Sequence, residues 1–193
     1  MPTVDNDPVI AFKSQRAFES WLEKNHDKLD GLWLRIYKKA SGAPTVTYAE
    51  ALEVALCFGW IDGLKRSYDE ESFIQRFTPR RARSVWSKVN VGHVERLTRE
   101  GRMRPAGQAA LEAARSDGRL ANAYDSPKNA QVPEDFLRAL KRDKKAYAFF
   151  QTLNRVNQYA IAYRLQSAKK PETRERRMKQ FLEMMARGEK IHE

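Results

Sequence analysis

Basic residues between Arg76 and Arg104 form the part of the sequence best suited to bind a ligand. Nine arginines and lysines stand there against only two glutamates, and they are Arg76, Arg80, Arg81, Arg83, Lys88, Arg96, Arg99, Arg102 and Arg104. This run supplies +7 of the formal net charge of +11. Such a field attracts anions over several ångströms at physiological ionic strength. The sequence therefore predicts an anion-binding surface.

The centre of this surface should be the loop that follows a predicted strand ending near Pro79. We expect phosphate or carboxylate groups to contact Arg76, Arg80, Arg81, Arg83 and Lys88, and Trp86 to stack on the ligand or line its pocket. Nucleic acid held without sequence preference, phosphate and acidic metabolites are the candidate partners. The alternative is a solvated surface in which Arg96 and Glu100 form an ordinary i,i+4 pair and Trp86 lies in the core.

A carboxylate and an indole precede the basic run, at Trp60 and Asp62. The strand that begins there returns to Arg76 through a predicted hairpin, so both side chains could lie at the mouth of a pocket beside the arginines. Asp62 would then orient an arginine, or act as acid or base in an enzyme with a small anionic substrate. The simpler interpretation is a turn at Asp62 and Gly63, with Trp60 covering the core.

Other reactive residue types do not combine into a catalytic or metal site. Cys57 stands at the end of a predicted helix among apolar residues, where both the helix dipole and burial disfavour a thiolate, so we interpret it as core packing. His26, His93 and His192 lack the spacing of metal ligands. No glycine-rich phosphate loop occurs, and we expect neither a metal nor a cofactor.

Strands and helices alternate in the first part of the chain. We predict strands over Val9 to Phe12 and Leu32 to Lys38, and a hairpin from Trp60 to Phe77 with its reversal at residues 69–71. Ser14 and a capping box of Thr47 with Glu50 should begin the first two helices. The glycine at position 59 should end the second helix in a left-handed conformation.

Helices dominate the rest of the chain. We predict that Asn90 caps a helix running to Gly101 and that Pro105 opens the next one. The fold class is α+β: a small antiparallel or mixed sheet with helices in the N-terminal part, followed by a helical C-terminal module. The predicted boundaries are 1–120 for the α+β domain, 121–132 for a linker and 133–193 for the helical module.

Composition sets further bounds. The 193 residues are 41% hydrophobic and 32% charged, which is typical of a globular protein rather than a disordered one. No apolar run reaches the roughly 20 residues that cross a bilayer, and the N-terminal residues lack the features of a secretory signal. One cysteine excludes an intrachain disulfide. We expect a cytoplasmic protein without a transmembrane segment.

Several runs resemble the YdeI/OmpD-associated, or bacteriocin-protection, family over almost the whole chain. They are Ala-Leu-Cys-Phe-Gly-Trp-Ile-Asp-Gly at 55–63, Arg-Phe-Thr-Pro-Arg-Arg at 76–81, Ser-Val-Trp-Ser-Lys-Val-Asn at 84–90, Gly-Arg-Met at 101–103, Tyr159, Ala-Lys-Lys-Pro-Glu-Thr-Arg at 168–174 and Arg-Arg at 176–177. The resemblance implies a part in tolerance of antibacterial peptides or envelope stress, without implying a reaction. Arg104 stands where the family pattern has threonine, which removes a helix-capping hydroxyl.

Three functional hypotheses follow from these observations. The first is a stress-associated binding protein with an anion-binding surface. The second is an enzyme that acts on a small anionic substrate. The third is a scaffold whose aromatic C-terminal helices bind another protein.

Overall fold

The chain forms two compact units. The computed structural model describes residues 2–126, 129–168 and 170–193. The first unit extends to Trp86 and includes Asn90–Asn122, and the second contains Ser87–Val89 and Ala123–Glu193. The first unit contains a mixed sheet with helices, and the second unit is helical. This arrangement confirms the predicted α+β class.

A five-stranded sheet is the framework of the first unit. Its strands lie in the order β1-β2-β3-β5-β4, and their bounds are Thr3–Val4 (β1), Asp7–Ala11 (β2), Leu32–Tyr37 (β3), Trp60–Ser67 (β4) and Ser72–Pro79 (β5). Strands β2 and β3 are parallel, and the other pairs are antiparallel. The β1–β2 hairpin was not predicted. Its turn places Asp5 and Asn6 at φ of 49° and 67°, a conformation that aspartate and asparagine tolerate better than most residues.

The helices that precede residue 123 begin at the predicted caps, with one exception. They are Gln15–Asn25 (α1), Tyr48–Cys57 (α2), Lys88–Arg99 (α3) and Pro105–Ser116 (α4), with a short 3-10 helix at Lys39–Ser41. The Ser14 hydroxyl accepts from the amide of Ala17, and the capping box of Thr47 and Glu50 is complete. The cap predicted at Asn90 is wrong, because α3 already begins at Lys88, whose amide donates to the Tyr124 carbonyl at 2.9 Å.

The two faces of the sheet carry different contacts. Phe77 on β5 packs against Phe18 of α1, with ring centroids 5.9 Å apart, so this face belongs to the helix-covered core. Trp33, Val9 and Ile74 form a smaller buried cluster on the other face. Trp33 points away from the core that its neighbours Leu32 and Leu34 join, and it is nevertheless buried because this second cluster covers it.

The alternative of a turn at Asp62 and Gly63 is wrong, since strand β4 begins at Trp60 and runs through both residues. The chain reverses one residue earlier, at Gly59, whose φ is +74° as predicted for a left-handed helix stop. A register shift between Asp62 and Lys65 marks a bulge, in which Gly63 and Leu64 stand opposite the single residue Arg76.

The second unit is helical, as predicted. Its helices are Glu134–Leu140 (α5), Lys144–Thr152 (α6), Arg155–Gln166 (α7) and Pro171–Arg187 (α8). Phe136, Phe150 and Ile161 form its core with Phe181 and Met185, the buried part of the apolar stripe of α8. Within the described ranges no helix combines the length and the apolar character that crossing a membrane requires.

The predicted linker 121–132 is only partly described. Residues 121–126 and 129–132 form turns and irregular structure, with one isolated bridge between Ser87 and Tyr124. Pro127 and Lys128 of this linker lie outside the described residues, as does Lys169 of the family-like run at 168–174. The boundaries of the linker stay a prediction.

Candidate anion-binding site

Three of the predicted arginines meet at one recess at the end of β5. The recess has a volume of about 580 Å³ and is lined by Arg76, Arg80 and Arg81 together with Asp30, Ile61, Thr78, Pro79 and Ser84. We call this set of eight residues the arginine recess. All of them belong to the first unit. The lining carries three guanidinium groups and one carboxylate, so its formal charge is positive.

Arg76 lines the recess from strand β5, and its charge is balanced by a carboxylate of the neighbouring part of the sheet. Its Nη2 and Nε lie 2.7 Å and 2.8 Å from Oδ2 of Asp7, a residue of β2 that is largely buried. Paired guanidinium and carboxylate groups of this kind are charge-assisted and hold a fixed geometry. Arg76 therefore contributes orientation and hydrogen-bond donors more than net charge. The sequence did not point to Asp7, which stands 69 residues away from Arg76.

Arg80 and Trp86 form a stacked pair beside the recess. The Arg80 guanidinium carbon lies 3.6 Å from the centroid of the Trp86 ring, and Nη1 donates to the Val85 carbonyl at 3.3 Å. Trp86 is only 2% exposed, so its ring packs under Arg80 instead of offering a free face to a ligand. Trp86 does not line the recess, in contrast to the prediction. Its role is to hold a guanidinium in place by a cation–π contact.

Arg81 is the exposed cation of the recess. Within the described residues it forms no ion pair, and the turn that carries it is closed by the Ser84 amide, which donates to the Arg81 carbonyl at 2.9 Å. Arg119 donates to the Ser84 carbonyl at 3.0 Å and pairs with Asp117, which anchors the far side of this turn. Arg119 was missed by sequence reasoning because it follows α4, 35 residues away from Ser84.

Asp62 and Trp60 lie apart from the arginines. In the antiparallel pairing Asp62 stands opposite Phe77, so it shares the helix-covered face, while Arg76, the next residue along from Phe77, points to the other face. Asp62 accepts from the Tyr48 hydroxyl at 2.9 Å. Burial, together with the Asp62 charge, raises the pKa of Tyr48.

Trp60 belongs to the core and offers no surface to a ligand. It is 1% exposed, its indole nitrogen donates to the His26 carbonyl at 3.0 Å, and its ring packs edge-on against Trp21. The alternative interpretation, in which Trp60 covers the core, describes its position.

The remaining cations of the run do not converge on the recess. Arg83 is exposed but does not line it, and Lys88 belongs to the second unit, where it pairs with Asp125 at 3.0 Å. Arg96 and Arg102 share Glu53 and Glu100, and the i,i+4 pair of Arg96 and Glu100 has the predicted form. These ion pairs cancel part of the positive field that the sequence suggested.

Cys57 and the histidines add no chemistry to the site. The Cys57 thiol is buried, and desolvation raises its pKa to about 11. In the described part of the chain no three His, Cys, Asp or Glu side chains are grouped as metal ligands. What the recess offers chemically is a set of hydrogen-bond donors and positive charge.

Two known families match separate parts of the chain. Residues 10–110, just over half of the chain, match a domain of unknown function (DUF8412). Residues 129–188 match the family described as Bacteriocin-protection, YdeI or OmpD-Associated. The chain therefore belongs to the DUF8412 family, and its C-terminal part carries a match to the YdeI/OmpD-associated family. No curated protein and no solved structure matches it.

The YdeI/OmpD-associated match confirms the resemblance found in the sequence and also locates it. It covers the helices of the second unit, from the residues before α5 to the end of α8. The runs at 55–63, 76–81, 84–90 and 101–103 fall instead within the DUF8412 match. The arginine recess thus lies in the DUF8412 part of the chain, outside the YdeI/OmpD-associated match.

Proposed function

We propose that this protein binds a small anion, through a phosphate or carboxylate group, in the arginine recess. The observation that carries the proposal is the convergence of Arg76, Arg80 and Arg81 on one concave surface with a single carboxylate, Asp30, in its lining. Guanidinium groups bind phosphate and carboxylate oxygens through parallel N–H donors. The hydroxyls of Thr78 and Ser84 add neutral donors at the same place.

Two of the three guanidiniums are held in position before a ligand arrives. Arg76 is fixed by Asp7, and Arg80 is fixed by Trp86 and the Val85 carbonyl. Side chains that are ordered in advance lose less conformational entropy on binding. Arg81 has no such restraint, and its guanidinium moves to contact the bound anion.

The size of the recess favours a small molecule over nucleic acid. Its volume of about 580 Å³ falls in the range of roughly 300–1,000 Å³ that is usual for small-molecule sites. Nucleic acid requires a basic track along several phosphates, whereas Arg96 and Arg102 are occupied by Glu53 and Glu100. The enzyme hypothesis has no comparable support, since Asp62 and Arg76 lie on opposite faces of the sheet.

The proposal also includes a cytoplasmic location and a role in stress tolerance, of which the family description supports only protection against bacteriocins. A protein with a net charge of +11 repels cationic antibacterial peptides, so direct capture of such peptides is disfavoured. The protein would act instead through its bound anion. Fractionation of cells that express the tagged chain tests the location, and recovery in a compartment other than the cytoplasm would contradict that part.

Titration of the full chain with inorganic phosphate and with citrate, followed by amide chemical shifts, tests the binding. We expect shifts at Thr78, Arg81 and Ser84, and we expect Arg81→Gln to weaken binding about tenfold, the loss of one charge-assisted contact. Arg83→Gln is the matched control, because it removes the same charge from the same loop outside the recess. Equal losses in both variants, or no binding at low salt, would overturn the proposal.

A further inference from the structure

The arginine recess has two chemically different sides. Arg80 and Arg81 with the Ser84 hydroxyl form a cationic side, and Ile61 and Pro79 provide apolar surface. Asp30 is the carboxylate of the lining. It is exposed, and within the described residues it forms no hydrogen bond or ion pair. A site for a bare inorganic anion gains nothing from this carboxylate, because like charges repel.

The position of Asp30 is set by close backbone packing. Gly31, the next residue, is buried, and a Cβ at that position would lie 3.0 Å from Asp7 Oδ2 and 3.1 Å from the Phe77 carbonyl oxygen. Only glycine allows the chain to approach the end of β5 this closely without a shift. Asp30 is consequently held at the same strand end that presents Thr78 to the recess.

We infer that the ligand is a small phosphate monoester whose organic part carries hydrogen-bond donors, and that Asp30 accepts from those donors. This inference rests on the proposed anion binding. The cationic side takes the phosphate, the apolar residues contact the carbon skeleton, and the Asp30 carboxylate receives a hydroxyl or an ammonium group. The volume of about 580 Å³ leaves room for an organic part beyond the phosphate.

Glycerol 3-phosphate and propyl phosphate make a matched pair of probes, because they differ in the two hydroxyls and share the phosphate and the three-carbon chain. Phosphoethanolamine adds an ammonium group in place of the hydroxyls. We expect the wild-type chain to bind glycerol 3-phosphate or phosphoethanolamine at least about fivefold more tightly than propyl phosphate, the contribution of a hydrogen bond to a charged acceptor. Which of the two binds more tightly identifies the donor.

Asp30→Asn should remove this preference while binding of propyl phosphate stays equal or becomes stronger, since a negative charge leaves the site. Asp27→Asn is the control, because it neutralises an exposed carboxylate of the same loop that does not line the recess. If all three esters bind wild type equally, or if the preference survives in Asp30→Asn, the role of Asp30 is overturned and anion binding stands. If no ester and no inorganic phosphate binds, the proposed function fails and this inference fails with it.

Discussion

Burial, more than residue type, decides which side chains of this protein are accessible to a ligand. Trp60 and Trp86 were both candidates for ligand contact, yet one packs in the core and the other lies under a guanidinium. Cys57 was interpreted as core packing from its apolar neighbours and its position at the end of a helix, and it is buried. The burial of a largely apolar helix can be predicted from its own residues. The burial of a tryptophan depends on residues that are distant in sequence.

Cys57 gives a pH-dependent test at the residue scale. Burial raises its pKa to about 11, while an unfolded thiol titrates near 8.5. Between these values the native thiol keeps its proton and the unfolded one loses it, so the contribution of Cys57 to stability is complete below about pH 8.5 and is lost as pH approaches 11. We expect the Tm of the wild-type chain to fall more steeply over this interval than that of Cys57→Ala.

Comparison with Cys57→Ala isolates the thiol. Tyr48, whose pKa is also raised, titrates in both proteins, so its effect cancels in the difference. The substitution should lower Tm by a similar amount at every pH below 8.5, since it leaves a small void in the core. Parallel Tm curves from pH 8.5 to 11 would show that the folded state does not shift the Cys57 titration.

At the scale of elements, two glycines inside helices have opposite roles. Gly107 in α4 faces the C-terminal end of α2, and a Cβ on it would lie 2.1 Å from the Cys57 carbonyl oxygen. Gly107→Ala should therefore force the two helices apart and destabilise the protein by about 3 kcal/mol. Gly92 in α3 has open space around the same position, so Gly92→Ala should stabilise by about 0.5–1 kcal/mol. Urea unfolding of both variants measures the two changes.

The test of this prediction is that Gly107→Ala and Gly92→Ala change the free energy of unfolding in opposite directions. Equal effects of the two substitutions would mean that α2 and α4 do not approach as closely as the Gly107 contact implies. No sequence rule separates these glycines, because both stand inside helices of 12 residues. The packing of α4 on α2 distinguishes them.

The N-cap of α4 was predicted correctly from the sequence. Arg104 occupies the N-cap position without a side-chain hydrogen bond to the helix, as the missing hydroxyl predicted. Its guanidinium instead pairs with Glu19 and Glu23 of α1, each at 3.0 Å. The capping defect was visible in the sequence, while the new partners depend on how α1 and α4 pack.

For the whole molecule, the predicted division at 121–132 has a direct test. The described residues of this stretch are irregular, and the family matches end at residue 110 and begin again at 129. Limited proteolysis with a nonspecific protease should cut first between residues 120 and 133, because backbone outside helices and sheets opens at the lowest cost. Mass spectrometry of the first two fragments checks the position. First cuts inside β5 or α7 would contradict the division.

The sequence by itself determined strands β2 to β5, the caps of α1 and α2 and the α+β class, because periodicity and capping act over a few residues. It also predicts an anion-binding surface at the arginines after β5, which stays a proposal. Tertiary structure decided which of them meet: strand alternation separates Asp62 from Arg76, and distant carboxylates occupy Arg96, Arg102 and Arg104. Partners such as Asp7, Asp30 and Arg119 come together only through packing, which no local pattern encodes.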